Sequence, residues 1–195
     1  MTSKFFGKKA QSRQRILDAA ARAVRRSGFS GVGVADVMKE AGLTVGGFYS
    51  HFPSRDALIA EAVVHASREI ATTIRANVEA LARDGQSIFG AFVETYLSDS
   101  QISAREDGCP VAALCGEIPN QGAEVLDASR RAVVNLHKLV QQALPPDSSP
   151  ETAWAVAGAL IGAMQLARAL GDNKQGRAVL AAARADLIAR YDNRQ

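Results

Sequence analysis

Apolar side chains recur at three- and four-residue steps along almost the whole chain, and this helical period is the strongest constraint on its fold. No run of alternating β-branched residues bounded by hairpin turns is found, so strands are not needed. The chain has 195 residues, of which 47% are hydrophobic. A chain of this size buries a core without a disulfide or metal. The pattern therefore predicts an all-α protein.

Basic residues are concentrated near the amino terminus. Residues 1–60 hold ten Lys and Arg against four Asp and Glu, a net charge of +6, so the remainder carries −3 of the total of +3. A basic module on a mildly acidic body suits a polyanion such as nucleic acid. An anionic membrane surface is an equal match on charge alone, so a membrane-surface helix at residues 4–26 stays as an alternative.

Three helices are predicted before Pro53. The first runs from about Ser12 to a left-handed stop at Gly28, the second covers Val34 to Gly42, and the third, Val45 to His51, is only about two turns long. Thr44 is positioned to cap the third helix. Two short helices joined by a Gly-containing turn and buttressed by a longer one are the pattern of a helix-turn-helix DNA reader, with the third helix as the reader.

Gly46 and Gly47 are unusual in so short a helix, because each costs roughly 1 kcal/mol relative to Ala. If the first turn of this helix enters a major groove, the missing side chains let the backbone approach bases and phosphates closely. In the alternative interpretation, both glycines form a loop before a helix that starts at Phe48.

The segment Ala41 to Leu58, AGLTVGGFYSHFPSRDAL, resembles the recognition segment of TetR-type bacterial transcriptional repressors. The resemblance extends back to about Arg13. It implies an all-α fold with an amino-terminal three-helix helix-turn-helix domain at residues 1–65 and a larger helical effector-binding and dimerisation domain at residues 66–195. It further implies a homodimer without enzymatic activity or cofactor that binds double-stranded operator DNA and is released by a small-molecule effector.

The resemblance also implies which residues contact DNA, namely Ala35, Thr44, Val45, Gly46, Gly47, Tyr49, His51 and Arg55. The basic amino-terminal arm adds Lys8 and Lys9 to the predicted contacts. Val45, Gly46 and Gly47 face the groove, with Ala35 at its edge, and the polar side chains donate to phosphates. Lys8 and Lys9 form, with Arg13, a basic arm that senses DNA shape. Structural alternatives stay open: Tyr49 as a cover for the core, His51 as a structural residue, and the basic arm as a solvated, frayed helix start.

Two departures from the family pattern alter the expected contacts. Gly33 stands where the family usually has Thr at the start of the second helix, so one cap and one phosphate contact are expected to be lost. Val45 occupies a position that is often polar in relatives. We therefore expect base reading through apolar contact with thymine methyls and through DNA shape. Phe48 and Phe52 are predicted to be core.

A fourth helix is predicted to start after Ser54 and to continue past residue 66, linking the reader to the body. Such a helix can transmit a tilt from a distant pocket to DNA. Further on, residues 153–171 are nearly apolar on every side and contain Gly158-x-x-x-Gly162. We predict that this helix and the last one, about Gln175 to Tyr191, form a symmetric four-helix dimer interface, with a monomer core helix as the alternative. The predicted interface residues are Gly158, Gly162, Ala163 and Leu166.

The effector pocket is the least constrained prediction. Its candidate lining residues are Phe89, Phe92, Tyr96, Cys115, His137, Trp154 and Met164. Ordinary core packing is the alternative for most of them. Since no dense set of ionisable residues accompanies them, a largely apolar effector is expected.

The remaining features argue against other classes of protein. Two cysteines and an amino terminus without an apolar signal region predict a cytoplasmic protein. Cys109 and Cys115 are expected to be inert, with a thiol switch as the alternative. No metal-ligand spacing occurs, and the apolar run Ala153 to Met164 is too short to cross a bilayer. An enzyme with a basic docking arm finds no catalytic motif in support, since Gly31-Val32-Gly33 lacks the third glycine of a dinucleotide loop.

Overall fold

The computed structural model describes residues 2–192, and every regular element in this range is helical. The α-helices are α1 Thr2–Ser27, α2 Val34–Glu40, α3 Arg55–Arg83, α4 Ile88–Tyr96, α5 Ser100–Ser103, α6 Pro110–Leu114, α7 Ala123–Ala143, α8 Pro150–Leu170 and α9 Lys174–Tyr191. Short 3-10 helices span Val45–Ser50, Arg105–Asp107 and Ile118–Asn120. The predicted all-α class is confirmed.

The amino-terminal module is built around α1. The left-handed residues Gly28 and Gly42, with φ of 72° and 68°, end α1 and α2 as predicted. The first helix begins at Thr2, well before the predicted Ser12. This extension was not predicted because residues 7–11 are exposed and polar or small, and so carry no apolar period.

Helix α3 joins the module to the body. The Ser54 hydroxyl oxygen accepts a hydrogen bond from the Ala57 backbone N–H at 2.9 Å and so caps the helix. The helix then runs for 29 residues, about 43 Å at 1.5 Å per residue, without a break at residue 66. It packs on α1, α4 and α7. The predicted linking helix is therefore present, and the proposed boundary near residue 66 falls inside it.

Helices α4 to α9 form the body, in which α8 packs against α7 and α9. Pro110 and Pro150 occupy the first turns of α6 and α8, where the missing N–H has no intrahelical role. Helix α8 has 21 residues and a mean hydropathy of 1.4, so by length and composition alone it could cross a bilayer. A helix of a protein core passes the same test, so this result does not overturn the expectation drawn from the short run Ala153 to Met164. One side of α8 is packed in the protein core.

The carboxyl end of α1 lies against the body. Arg26 Nη1 is 2.7 Å from Glu106 Oε1, and the Phe29 backbone N–H donates to Glu117 Oε2 at 3.0 Å. Arg25 Nη2 is 3.1 Å from Glu69 Oε2 on α3. These contacts connect the amino-terminal module to the body at the end of α1 that is remote from Lys8 and Lys9.

Candidate DNA interface

The predicted reader, Val45–Ser50, is a 3-10 helix rather than an α-helix. Phe48 and Phe52 are buried, and their rings stack at a centroid distance of 6.0 Å, which confirms them as core. On the other side, Val45 is 52% and Tyr49 78% exposed. Tyr49 therefore does not cover the small core. The two phenylalanines fix the segment while its outer face stays open to a partner.

The two glycines of the reader have no intramolecular reason to be glycine. Both lie inside the 3-10 helix, which rules out the loop interpretation, and neither has a positive φ. A Cβ added at Gly46 meets nothing within 4 Å. One added at Gly47 meets only the Met38 methyl carbon, at 3.9 Å, which is ordinary contact. The fold thus tolerates Ala at both positions.

The caps of the reader and of α2 use no side chain. Thr44 precedes the 3-10 helix, but its hydroxyl makes no capping hydrogen bond, so that prediction was wrong. Its backbone carbonyl accepts from Gly47 N–H at 3.1 Å instead, and its side chain is exposed. Gly33 occupies the N-cap of α2 without a side-chain cap, as the departure from the family pattern predicted. Ala35 is exposed at the start of α2.

Arg55 is largely engaged within the protein. Its Nε donates to the Val32 carbonyl at 2.9 Å and its Nη2 to the Phe29 carbonyl. Its Nη1 lies 3.7 Å from Asp56 Oδ1. The guanidinium therefore holds the loop between α1 and α2 against the start of α3. The predicted phosphate contact of Arg55 stays a prediction, and Nη1 is the nitrogen without a hydrogen-bond acceptor among the described residues.

His51 ends the reader in a positively charged, half-buried position. Its backbone N–H donates to the Phe48 carbonyl at 2.9 Å, while its buried Nδ1 has no hydrogen-bond partner in the described part of the chain. Burial lowers the pKa of His51 below its ordinary value, and the charges of Lys9 and Arg13 lower it further. The imidazole is therefore neutral at pH 7, unless an anion is brought beside it.

The basic arm is helical, which contradicts the frayed alternative. Lys8 and Lys9 are exposed on α1. Arg13 is different, because its Nη2 lies 2.6 Å from each carboxylate oxygen of Glu61 and its guanidinium carbon 4.5 Å from the centre of the Phe52 ring. Arg13 thus anchors α1 to α3, whereas neither lysine has a carboxylate partner among the residues that the structure describes.

The predicted effector residues do not converge on one pocket. Trp154 is 46% exposed and stacks on His137 at 4.1 Å, and Phe89 packs edge to face with Tyr191. Cys115 is half-buried, and none of these four predicted residues lines the two interior cavities beside Tyr96. Phe92 lines a shallow groove of about 170 Å³.

Tyr96 and Met164 do line interior space. Tyr96 lies between two small cavities of about 20 Å³ each, one of which is also bordered by Met164. Each has room for about one water. The sequence prediction missed Arg168, which borders the second cavity and an open cleft of about 520 Å³ between α1 and the body. Arg168 follows Met164 by one helical turn, a spacing that could have revealed it.

The small-residue face of α8 is partly outward. Gly158 is exposed and Leu166 is 60% exposed, while Gly162 is half-buried with open space where a Cβ would lie. Ala163 is buried in the core of the chain, so its prediction as an interface residue was wrong. Fewer of the predicted interface residues of α8 are therefore exposed than the sequence suggested.

The polar groups between α1 and α3 include one grouping that was not predicted. Asp18, His65 and Glu69 bring their ligand atoms within 4.8 Å of one another. His65 Nε2 lies 2.8 Å from Asp18 Oδ1, and Glu69 accepts from Arg25. We interpret the three as an interhelical polar network. Cys109 and Cys115 are free thiols, the first of them buried.

Comparison with known proteins agrees with this geometry. Residues 16–62 match the family described as "Bacterial regulatory proteins, tetR family". An uncharacterized HTH-type transcriptional regulator of Mycobacterium tuberculosis is 27% identical over 173 residues, 82% of this chain and 86% of its own. The HTH-type transcriptional regulator LmrA of Bacillus subtilis is 29% identical over 156 residues, covering 78% and 81% of the two chains.

The fold is also shared over nearly the whole length. A TetR-family transcriptional regulator from Agrobacterium tumefaciens superposes with a TM-score of 0.73 at 21% identity, covering 94% of this chain and 98% of its own. The family match covers the module that carries the exposed reader. The match identifies residues 16–62 as the DNA-binding, helix-turn-helix module of the TetR family of transcriptional regulators.

Proposed function

We propose that this regulator is a homodimeric repressor that binds a palindromic operator and is released by a small-molecule effector. The observation that carries the proposal is the reader, where Phe48 and Phe52 are buried while Val45, Gly46 and Tyr49 present an open face. The two glycines, which the fold itself does not require, suit a backbone that approaches base edges closely.

Contacts around the reader supply the affinity. Thr44 and Tyr49 carry exposed hydroxyl groups, and Lys8 and Lys9 are exposed cations on α1. Donors of this kind position a protein on the phosphates without reading sequence. Val45 then supplies apolar contact with thymine methyls. Affinity is expected to fall steeply with salt, because cations released from DNA drive binding.

Selection of bound oligonucleotides from a random duplex pool tests this function directly. A palindromic consensus with half-sites about one helical turn apart, or a multiple of it, supports two symmetric readers. A pool that shows no enrichment, or enrichment of a single asymmetric half-site, contradicts the proposal. The full chain is the protein to use, because α3 joins both parts.

The dimer is proposed to form through the outward side of α8 together with α9. Gly158 allows close helix approach and Leu166 is an exposed large apolar residue. Sedimentation at micromolar concentration should give a dimer for the wild type. Leu166→Glu should give a monomer, while Val134→Glu, on an exposed apolar residue of α7, should not. A monomeric wild type removes this part of the proposal.

The effector is proposed to be largely apolar and to enter the interior around Tyr96 and Met164. Since the cavities there hold about one water each, such a ligand must part α3, α4 and α8. That movement tilts α3 and displaces the reader. The effector thereby shifts the dimer from the conformation that binds DNA to one that does not. Thermal-shift screening of a compound library tests whether the effector is apolar. Stabilisation by polar or charged compounds alone contradicts this part of the proposal.

A further inference from the structure

An open cleft separates the carboxyl end of α1 from the body. It measures about 520 Å³, within the range of small-molecule sites, whereas the interior cavities measure about 20 Å³. Its charged lining consists of four arginines and one glutamate: Arg25, Arg26, Arg105, Arg168 and Glu117. The lining residues alone carry a net charge of +3, and the carboxylates that pair with Arg25 and Arg26, those of Glu40, Glu69 and Glu106, lie outside the lining.

Two of these arginines have no carboxylate partner among the described residues. Arg168 is half-buried, and its Nε and Nη2 share the Gln101 carbonyl at 3.3 and 3.1 Å. Burial lowers the pKa of Arg168, and the nearby charge of Arg105 lowers it further. Two like charges held together beside buried surface are unfavourable unless an anion joins them.

Arg25 adds a buried donor to the same wall. The residue is 6% exposed, and although its Nη2 contacts Glu69, its buried Nε has no hydrogen-bond partner within residues 2–192. A buried donor without an acceptor is unfavourable by about 1–3 kcal/mol. This Nε is closed to solvent, so Arg25 contributes charge to the cleft wall rather than a contact with the ligand.

Other roles explain only some of the arginines in the cleft wall. Arg25 and Arg26 lie in the last turn of α1, where cations suit the helix dipole. Arg168 lies in the last turn of α8 and shares this explanation, whereas Arg105 belongs to the three-residue 3-10 helix Arg105–Asp107. Operator phosphates are remote as well, because Arg25 lies 16 residues beyond Lys9, about 24 Å along α1.

We propose that this cleft binds a small ligand through an oxyanion group, a carboxylate or a phosphate, held by Arg105 and Arg168 with Arg25 at its inner wall. Planar guanidinium groups donate paired hydrogen bonds to either group. The binding step is independent of the proposed function. Its effect on DNA rests on that function: the ligand competes with Glu106 and Glu117 at the contacts that tie α1 to the body.

Thermal denaturation with low-millimolar citrate or pyrophosphate tests the site, with sodium chloride at equal ionic strength as the reference. Wild type should be stabilised by at least one anion, and the stronger of the two identifies the carboxylate or phosphate class. Without anion, Arg105→Gln should melt at the wild-type temperature or slightly above it, because the exposed side chain makes no hydrogen bond in the described range and its charge repels Arg168. It should bind the anion about ten-fold more weakly, the loss of one charge-assisted hydrogen bond.

Two further variants complete the design. Arg131→Gln removes an exposed arginine of α7 and should bind the anion like wild type. Arg168→Met should also lose binding, although the loss of its contact with Gln101 lowers its basal stability. No anion-specific stabilisation, or equal stabilisation of Arg105→Gln and Arg131→Gln, overturns the proposal.

Operator binding in chloride buffer separates the two proposals. A wild type that binds its operator but gives no anion-specific shift overturns this inference alone. A wild type that binds the anion at Arg105 but selects no operator supports this inference and contradicts the proposed function.

Discussion

Replacing Gly46 with Ala separates the needs of the fold from those of DNA binding. The Cβ meets nothing within 4 Å and the backbone has no positive φ, so the folded protein accommodates it without strain. Such a Gly-to-Ala change raises the free energy of unfolding by about 0.4–1 kcal/mol, because the unfolded chain loses freedom. For a chain of this size, that raises the melting temperature by about 1–4 °C.

Operator binding should change in the opposite direction. If the backbone of the reader lies against the bases, an added methyl group overpacks the contact, which costs about 1–3 kcal/mol by analogy with protein cores. Two protomers double the effect to about 2–6 kcal/mol, so we expect binding at least about 30-fold weaker. Fluorescence anisotropy with the selected operator measures affinity, and thermal denaturation measures stability.

Gly116→Ala is the matched control. Its Cβ also meets nothing within 4 Å, and it lies in the body between α6 and the 3-10 helix at 118–120. It should leave operator affinity unchanged. If Gly46→Ala folds normally and binds the operator as tightly as wild type, the reader does not approach the bases closely, and the reasoning from the open glycine is refuted.

Three further changes test the surroundings of the reader. Lys9→Gln should reduce the steepness with which operator affinity falls with salt, by about 0.9 per protomer and about 2 for the dimer in the slope of log K against log salt. Lys138→Gln on α7 should keep the wild-type slope. Equal slopes for the two variants contradict a phosphate contact of Lys9. Burial lowers the pKa of His51 in the free protein, whereas a neighbouring phosphate raises it. Operator binding therefore takes up a proton at His51. Operator affinity should therefore increase as pH falls from about 7.5 to 6, and a His51→Gln variant with the same pH dependence rules this out. Ser54→Ala removes the cap of α3 and should lower the free energy of unfolding by about 1 kcal/mol, or about 2–4 °C in melting temperature; an unchanged melting curve contradicts the role of the cap.

Features that depend on neighbouring residues were predictable from the sequence. The left-handed stops at Gly28 and Gly42 need only a missing Cβ, and the cap at Ser54 needs only an oxygen three residues before an N–H. The burial of Phe48 and Phe52 follows from helical spacing. Local backbone geometry decides each of these, so the helix-turn-helix module could be recognised before its structure.

Features that depend on residues distant in the chain were not predictable from the sequence. The hydrogen bonds of Arg55 to backbone carbonyls 23 and 26 residues earlier were not expected. Trp154 was expected inside and lies outside, while Ala163 was expected at an interface and lies in the core. The helical period predicts which face of a helix is apolar, but it does not predict which other helix or subunit packs against that face.

The sequence by itself determined the helices, their ends and the glycine-bearing reader, because these follow from interactions within a few residues. The tertiary structure alone decided that Arg25, Arg105 and Arg168 line one cleft, since they are up to 143 positions apart in the chain. Charge is a local property of each side chain, but an electric field in a cleft is the sum over residues that only folding brings together.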